Sequence, residues 1–82
     1  MEKLWFGSAE CLGKKISYGL LVQTSEDGIM HYGVTVEYGG EVAAIPDITL
    51  KIGDILALAG LLRRGSVTPV TLLDVIEDWL ER

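Results

Sequence analysis

Hydrophobic and polar residues alternate along two segments in the first half of the chain. One set is Ile16, Tyr18, Leu20 and Val22, and the other is Met30, Tyr32, Val34, Val36 and Tyr38. A period of two is typical of half-buried strands. Between these two segments, residues 26–28 fit a three-residue hairpin loop that follows Ser25 and has Gly28 in a left-handed conformation. Pairing Ser25 with Ile29 puts every large residue on one face, so we predict this register. The predicted pairs are Val22 with Tyr32, Leu20 with Val34, Tyr18 with Val36, and Ile16 with Tyr38.

Turn residues extend this pattern into a sheet. Gly39 and Gly40 predict a second tight hairpin, and the strand after it places Ala43 and Ile45 on the core face until Pro46 ends it. A further strand over residues 3–11 is expected at one edge. Its register is ambiguous, so the sequence leaves open whether Trp5 or Phe6 points inward. The predicted strands are residues 3–11, 15–24, 29–38 and 41–45.

The face of the sheet opposite the core is expected to be solvated. Its residues are small and mostly polar, as is common for an antiparallel sheet with one face in water. They are Ser17, Gly19, Leu21 and Gln23 opposite Glu37, Thr35, Gly33 and His31.

The second half of the chain predicts two helices, at residues 50–64 and 69–81. Gly65 follows two arginines and fits a left-handed helix C-cap. Thr68 and Pro69 fit an N-cap hydroxyl and a first-turn proline. The fold class is therefore α+β, with a three- or four-stranded antiparallel meander followed by two antiparallel helices packed on one face. Residues 1–82 form a single domain, because so short a chain supports one core.

The two predicted helices differ in polarity. In the second, one broad apolar stripe comprises Leu72, Leu73, Val75, Ile76, Trp79 and Leu80. Four acids lie on the opposite side at i, i+3, i+4 and i+7, namely Asp74, Glu77, Asp78 and Glu81. Such a ridge is typical of a solvated helix face, but it also fits a contact for a basic partner surface. A cation site is a third alternative, which the absence of an EF-hand-type loop disfavours.

The first helix, by contrast, is apolar almost all round. The side assigned to the sheet is Ile52, Ile55, Leu56, Ala59 and Leu62, and a groove of small residues is Gly53, Ala57 and Gly60. The second helix is the candidate to fill that groove. Leu58 and Leu61 lie off the sheet side, so either the second helix or a second chain covers them.

Composition narrows the classes of function. The formal net charge is −5, and this acidic balance disfavours direct nucleic-acid binding. Cys11 is the single cysteine, which excludes an internal disulfide and favours the cytoplasm. The N-terminus does not resemble a signal peptide, and no apolar run approaches the roughly 20 residues of a membrane span.

Candidate chemistry is sparse. His31 and Cys11 are the only histidine and thiol, and the predicted hairpin does not bring them together for nucleophilic catalysis. One of each is too few for a structural zinc site, and the glycine pair lacks the lysine of a phosphate-binding loop. We therefore expect no enzyme activity, no cofactor and no metal.

Several motifs resemble a family of small bacterial domains of unknown function. They are YGV from Tyr32, IPDIT at residues 45–49, and GSVTPVTLLDVIEDWL towards the end of the chain. The resemblance implies a compact intracellular bacterial protein with this order of strands and helices, and it brings no activity and no site residues. It also implies a more highly charged first helix than the one found here.

The function expected from these features is binding or regulation through protein–protein contact, without catalysis, by a homodimer. The candidate partner-binding residues are Leu58, Leu61, Asp74, Glu77, Asp78 and Glu81. An alternative is an acidic mimic of nucleic acid that inhibits a nuclease or another DNA-binding protein, as phage-encoded anti-defence proteins of the anti-CRISPR type do. In both cases the partner is a protein, with neither nucleic acid nor membrane bound directly.

Overall fold

The computed structural model describes residues 1–81, and Arg82, the last residue of the predicted domain, lies outside them. Four strands form one antiparallel sheet in the order β1-β2-β3-β4, and two helices follow. This confirms the predicted α+β meander with helices packed on it. The elements are β1 Glu2–Cys11, β2 Lys14–Thr24, β3 Met30–Tyr38, β4 Glu41–Thr49, α1 Ile52–Arg64 and α2 Pro69–Leu80.

The central hairpin has the predicted register. Ser25 N donates to Ile29 O over 2.9 Å, and Gly28 takes a positive φ of 83°. The Ser25 hydroxyl also bonds the Asp27 carboxylate, and this bond, with a second from the Ile29 backbone, lowers the pKa of Asp27. All four predicted pairs of large residues are confirmed, from Ile16 with Tyr38 to Val22 with Tyr32.

A second tight turn joins β3 to β4. Gly39 and Gly40 have φ values of 57° and 86°, as the second predicted hairpin requires. It brings Ala43 opposite Val36 and Ile45 opposite Val34, so the predicted core-face positions on β4 are confirmed.

Pro46 does not end β4, which continues to Thr49. The pairing of β3 with β4 shifts register between Tyr32 and Val34, because β4 has extra residues there, and Gly33 lies opposite this β4 bulge. A Cβ on Gly33 would lie 2.3 Å from the Ile45 carbonyl oxygen, so only glycine allows the close approach. The sequence prediction was wrong here because the bulge accommodates the proline at an edge strand.

A bulge in β1 resolves the choice between Trp5 and Phe6. The register of β1 with β2 shifts between Trp5 and Gly7, which pairs Trp5 with Gly19 on the outer face. Its neighbour Phe6 points to the other face, because successive side chains of a strand alternate. Phe6 stacks on Tyr18 in the core, with ring centroids 6.1 Å apart. Trp5 lies on the outer face against Gly19, where a Cβ would be 3.1 Å from its ring.

The outer face of the sheet is not solvated at its centre. Leu21 is 5% exposed and Thr35 is 1% exposed, whereas we expected both in water. The Trp5 ring lies over Gly19, which is paired with Thr35, and takes the place of solvent on this part of the face. The hydroxyl of Thr35 donates to the Ala43 carbonyl over 3.3 Å, so its burial leaves no unpaired polar group.

The helices cover the other face of the sheet. α1 packs against all four strands, and α2 packs against β3 and β4. Tyr18 donates its hydroxyl hydrogen to the Val67 carbonyl over 2.9 Å, which ties the inter-helix segment to the sheet, and burial raises the pKa of this phenol. The core residues are Ile16, Tyr18, Leu20, Tyr32, Val34, Val36, Ile55, Leu58, Ala59, Leu62, Leu72 and Ile76.

Helix capping differs from the sequence prediction. Gly65 is right-handed, with φ of −85°, and Ser66 takes the left-handed position at 49°. Thr68 is the N-cap of α2, but its side chain makes no capping hydrogen bond. Its carbonyl instead accepts from Thr71 N over 3.2 Å.

Candidate protein-contact surface

Leu58 and Leu61, expected at a partner surface, face the inside of the chain to different degrees. Leu58 is fully buried, and Leu61 is half-buried and packs on the core. Leu58 is therefore covered within its own chain and not by a second chain, which was one of the two alternatives predicted for it. α1 is rotated about its axis from the predicted orientation, so Ile55 and Leu58 face the core while Ile52 and Leu56 remain more than half exposed.

The small-residue groove on α1 is not filled by α2. A Cβ on Gly53 would meet nothing within 4 Å, and one on Gly60 would meet only Arg64 of the same helix. Gly53 and Ala57 are exposed. The expectation that α2 lies in this groove is wrong, because each helix packs on the sheet instead.

The acidic side of α2 lies entirely in solvent. Within residues 1–81 none of its four carboxylates forms a salt bridge, and the one ion pair found there lies elsewhere. We call this set the acidic ridge: Asp74, Glu77, Asp78 and Glu81, all of them exposed.

Three large aliphatic side chains beside the ridge are also exposed. Val70 is 77% exposed, and Leu73 and Leu80 are each 56% exposed. Both leucines belong to the broad apolar stripe predicted for this helix, but only Leu72 and Ile76 of α2 are buried. The signal was available in the sequence, since six apolar residues make a stripe wider than one sheet contact can cover. Together with the acidic ridge, Val70, Leu73 and Leu80 are called the α2 surface below.

A paired histidine and aspartate were missed. His31 Nδ1 lies 2.7 Å from Asp47 Oδ1, beside a hollow of about 200 Å³ that Gln23 and Ser25 also line. Asp47 has a positive φ of 56°, a conformation that the β4 bulge imposes. Sequence reasoning treated His31 as unpaired because it ended the strand before Asp47.

This pair does not assemble the parts of a nucleophilic site. The Ser25 hydroxyl is engaged with the Asp27 carboxylate and the Ile29 carbonyl rather than with the imidazole. Cys11 pairs with Lys14 at one end of β2, and His31 pairs with Gln23 near the other end. At about 3.3 Å per residue, the thiol and the imidazole are roughly 30 Å apart.

A second hollow lies on the outer face of the sheet along β1 and β2. Its volume is about 480 Å³, and it is lined by Trp5, Gly7, Ser8, Lys15 and Ser17. Lys3 Nζ lies 5.1 Å from the centroid of the Trp5 ring, which remains half exposed at the rim. The hollow therefore has an aromatic wall, two hydroxyls and nearby ammonium groups.

Among residues 1–81, no three His, Cys, Asp or Glu side chains are grouped closely enough to hold a metal ion. In the same residues, neither helix has the length and apolar character needed to cross a membrane.

A comparison with protein-family models identifies the family. The model for DUF6514, a family of unknown function, matches residues 6–82. The chain belongs to DUF6514. Membership confirms the resemblance to a family of unknown function, and the DUF6514 match includes all six elements from the bulge of β1 onwards. Comparisons with curated proteins and with solved structures find no significant match.

Proposed function

We propose that this protein is a non-catalytic binding or regulatory domain that acts through protein–protein contact, and that the α2 surface is where it binds its partner. The observation that carries the proposal is the exposure of Leu73 and Leu80 directly beside the acidic ridge. Contiguous apolar surface rimmed by polar groups marks interaction sites on small proteins.

The chemistry of the α2 surface defines the kind of partner. Leu73 is more than half exposed, and covering a leucine fully contributes roughly 1.5 to 3 kcal/mol. The acidic ridge lies along one side of it, with Glu77 one turn further along α2. These carboxylates favour a partner with lysines or arginines beside an apolar centre. Charge complementarity of this kind raises the association rate and fixes orientation.

Self-association is a separate part of the proposal. We infer a homodimer, because the chain is 49% hydrophobic and keeps many large apolar side chains in solvent. The α2 surface carries four like charges, so two copies would repel each other there. The contact between copies therefore lies elsewhere on the molecule.

Substitution of one leucine tests the binding surface. Leu73→Glu should weaken the complex with a partner captured from the native host about tenfold or more, because it places a charge at the apolar centre. Val42→Glu is the matched control, since Val42 is 57% exposed on β4 and Leu73 is 56% exposed. Affinity is measured by titration of the purified partner, and equal losses for both variants would rule the α2 surface out.

Nucleic-acid mimicry is a second candidate, supported by the spacing of the ridge. From Asp74 to Glu81 the helix rises about 10 Å in steps of about 4.5, 1.5 and 4.5 Å, so the average rise between successive charges is about 3.5 Å. One strand of DNA carries a charge about every 3.4 Å. In this candidate the ridge occupies the DNA-binding groove of a nuclease or another DNA-binding protein.

Removal of the ridge charges tests this candidate. Changing Asp74 and Asp78 to Asn and Glu77 and Glu81 to Gln should abolish inhibition of DNA cleavage in assays with purified nucleases. The control neutralises Glu2, Glu26, Glu37 and Glu41, which lie outside the helices and give the same change in net charge. Mimicry predicts that the control still inhibits and that added salt weakens inhibition. No inhibition by the native protein would dismiss this candidate.

A further inference from the structure

The two edges of the sheet differ in their capacity to pair with another strand. β4 is interrupted by Pro46, which has no N–H to donate, and by Asp47, which takes a positive φ. β1 has neither feature and spans ten residues. It is therefore the edge that leaves a long row of backbone groups available.

The turn at the end of β1 determines which of its backbone N–H and C=O groups point away from β2, at the free edge of the sheet. Leu12 and Gly13 form a two-residue turn with φ values of 53° and 79°, so Cys11 and Lys14 are a hydrogen-bonded pair. Alternation along an antiparallel pair then directs the backbone of Glu10 away from β2.

The same alternation holds along the rest of β1. The backbone groups of Ser8, like those of Glu10, point away from β2. The Ser8 carbonyl therefore has no partner on β2, and it accepts a hydrogen bond from Arg63 Nε over 3.3 Å. Beyond the bulge, Lys3 and Trp5 are the outward-facing positions. A carbonyl oxygen accepts two bonds, so Arg63 does not prevent Ser8 from pairing with a strand.

We propose that β1 pairs antiparallel with β1 of a second copy, about a two-fold axis between Phe6 and Gly7. The inference rests on the self-association in the proposed function and assigns a surface to it. The two outward-facing pairs, Lys3 with the partner's Glu10 and Trp5 with the partner's Ser8, then meet in hydrogen-bonding positions. The two bulges meet at the axis, and the sheets become one.

Charge and shape are self-complementary in this register. The axis repeats the pairing of Lys3 with Glu10, giving two opposite-charge pairs on one face of the sheet. Trp5 of each copy faces Ser8 of the other copy. Ser8 lines the hollow of about 480 Å³. The hollow receives the partner's Trp5, a residue type that dominates many interfaces.

The other face and the helices also agree with the pairing. Leu4 lies on the helix side of β1 and is 47% exposed, and the register places it against the partner's Ala9, which is small enough to let it pack. α2 packs on β3 and β4, away from the axis. The two acidic ridges therefore stay apart, which limits their repulsion.

Charge exchange at the edge tests the pairing by sedimentation. The native protein should form a dimer of twice 8.9 kDa. Lys3→Glu and Glu10→Lys each create two like-charge pairs, and each should weaken dimerisation about tenfold or more. An equal mixture of the two variants restores opposite charges at both pairs, so it should form a heterodimer.

Controls separate this inference from the proposed binding surface. Lys51→Glu and Glu26→Lys make the same charge changes away from β1 and should leave the dimer intact. Leu73→Glu should also leave it intact, so a failure of strand pairing and a failure of partner binding appear in different variants. A native monomer at every concentration, single variants that dimerise normally, or a mixture that stays monomeric would each overturn the pairing.

Discussion

Replacing Leu58 with alanine is expected to lower the free energy of unfolding by about 2 to 5 kcal/mol. Leu58 is fully buried between α1 and the sheet, and removing its methyl groups leaves a cavity that the surrounding core cannot refill. Urea unfolding followed by circular dichroism measures the loss. Leu56→Ala on the same helix is the control, since Leu56 is 52% exposed and its loss should stay below about 1 kcal/mol.

A charged substitution at Leu58 distinguishes burial within one chain from a contact between two chains. If Leu58 formed a contact between chains, Leu58→Glu would give a folded, soluble monomer. Burial within one chain predicts instead that Leu58→Glu unfolds the protein, because a carboxylate would lie in the core without a partner. A folded Leu58→Glu protein would contradict the position of α1 on the sheet.

Adding one methyl group at Gly33 is the second change with a large expected effect. A Cβ at this position would lie 2.3 Å from the Ile45 carbonyl oxygen and 2.6 Å from Pro46 Cα. Both are backbone atoms, so relief requires β4 to move away from β3. We expect Gly33→Ala to lower the free energy of unfolding by about 3 kcal/mol or more.

Gly53→Ala makes the same chemical change where there is space. A Cβ at Gly53 meets nothing within 4 Å on the exposed side of α1. Alanine should stabilise the protein there by about 0.5 to 1 kcal/mol, because it reduces the freedom of the unfolded chain. The two variants should therefore shift the urea midpoint in opposite directions. A Gly33→Ala protein as stable as the native one would disprove the close approach at the β4 bulge.

The sequence was most informative where local patterns and turns agree. Alternation in β2 and β3 and the left-handed Gly28 both specify one register, and a slip of one residue would expose every large side chain. The glycine pair at 39 and 40 similarly determined the next hairpin. These are short-range constraints, which a single sequence carries within a few residues.

Features that depend on the whole fold could not be predicted in the same way. Because α1 is apolar almost all round, its sequence does not show which side faces the sheet. Leu56 was predicted on the sheet side and Leu58 away from it, whereas in the structure Leu58 is buried and Leu56 is exposed. The extension of β4 past Pro46 depends on a bulge opposite Gly33, a contact between distant positions. Burial of Thr35 depends on Trp5, whose orientation follows from another bulge.

The candidate surface was predicted in part. The acidic ridge was identified from spacing alone, because charged residues at i, i+3, i+4 and i+7 must share a helix side. Leu73 and Leu80 were missed, since periodicity indicates which side residues occupy but not how much of it a neighbour covers. The dyad of His31 and Asp47 was missed because a strand bend creates it.

The central claim is that the protein works through contact at the α2 surface, and one ratio tests it most directly. It is the dissociation constant of the captured partner for Leu73→Glu divided by that for Val42→Glu, two sites of matched exposure. Binding at the α2 surface predicts a ratio of about ten or more, from burial of the leucine and the flanking charges. A ratio near one would contradict the claim.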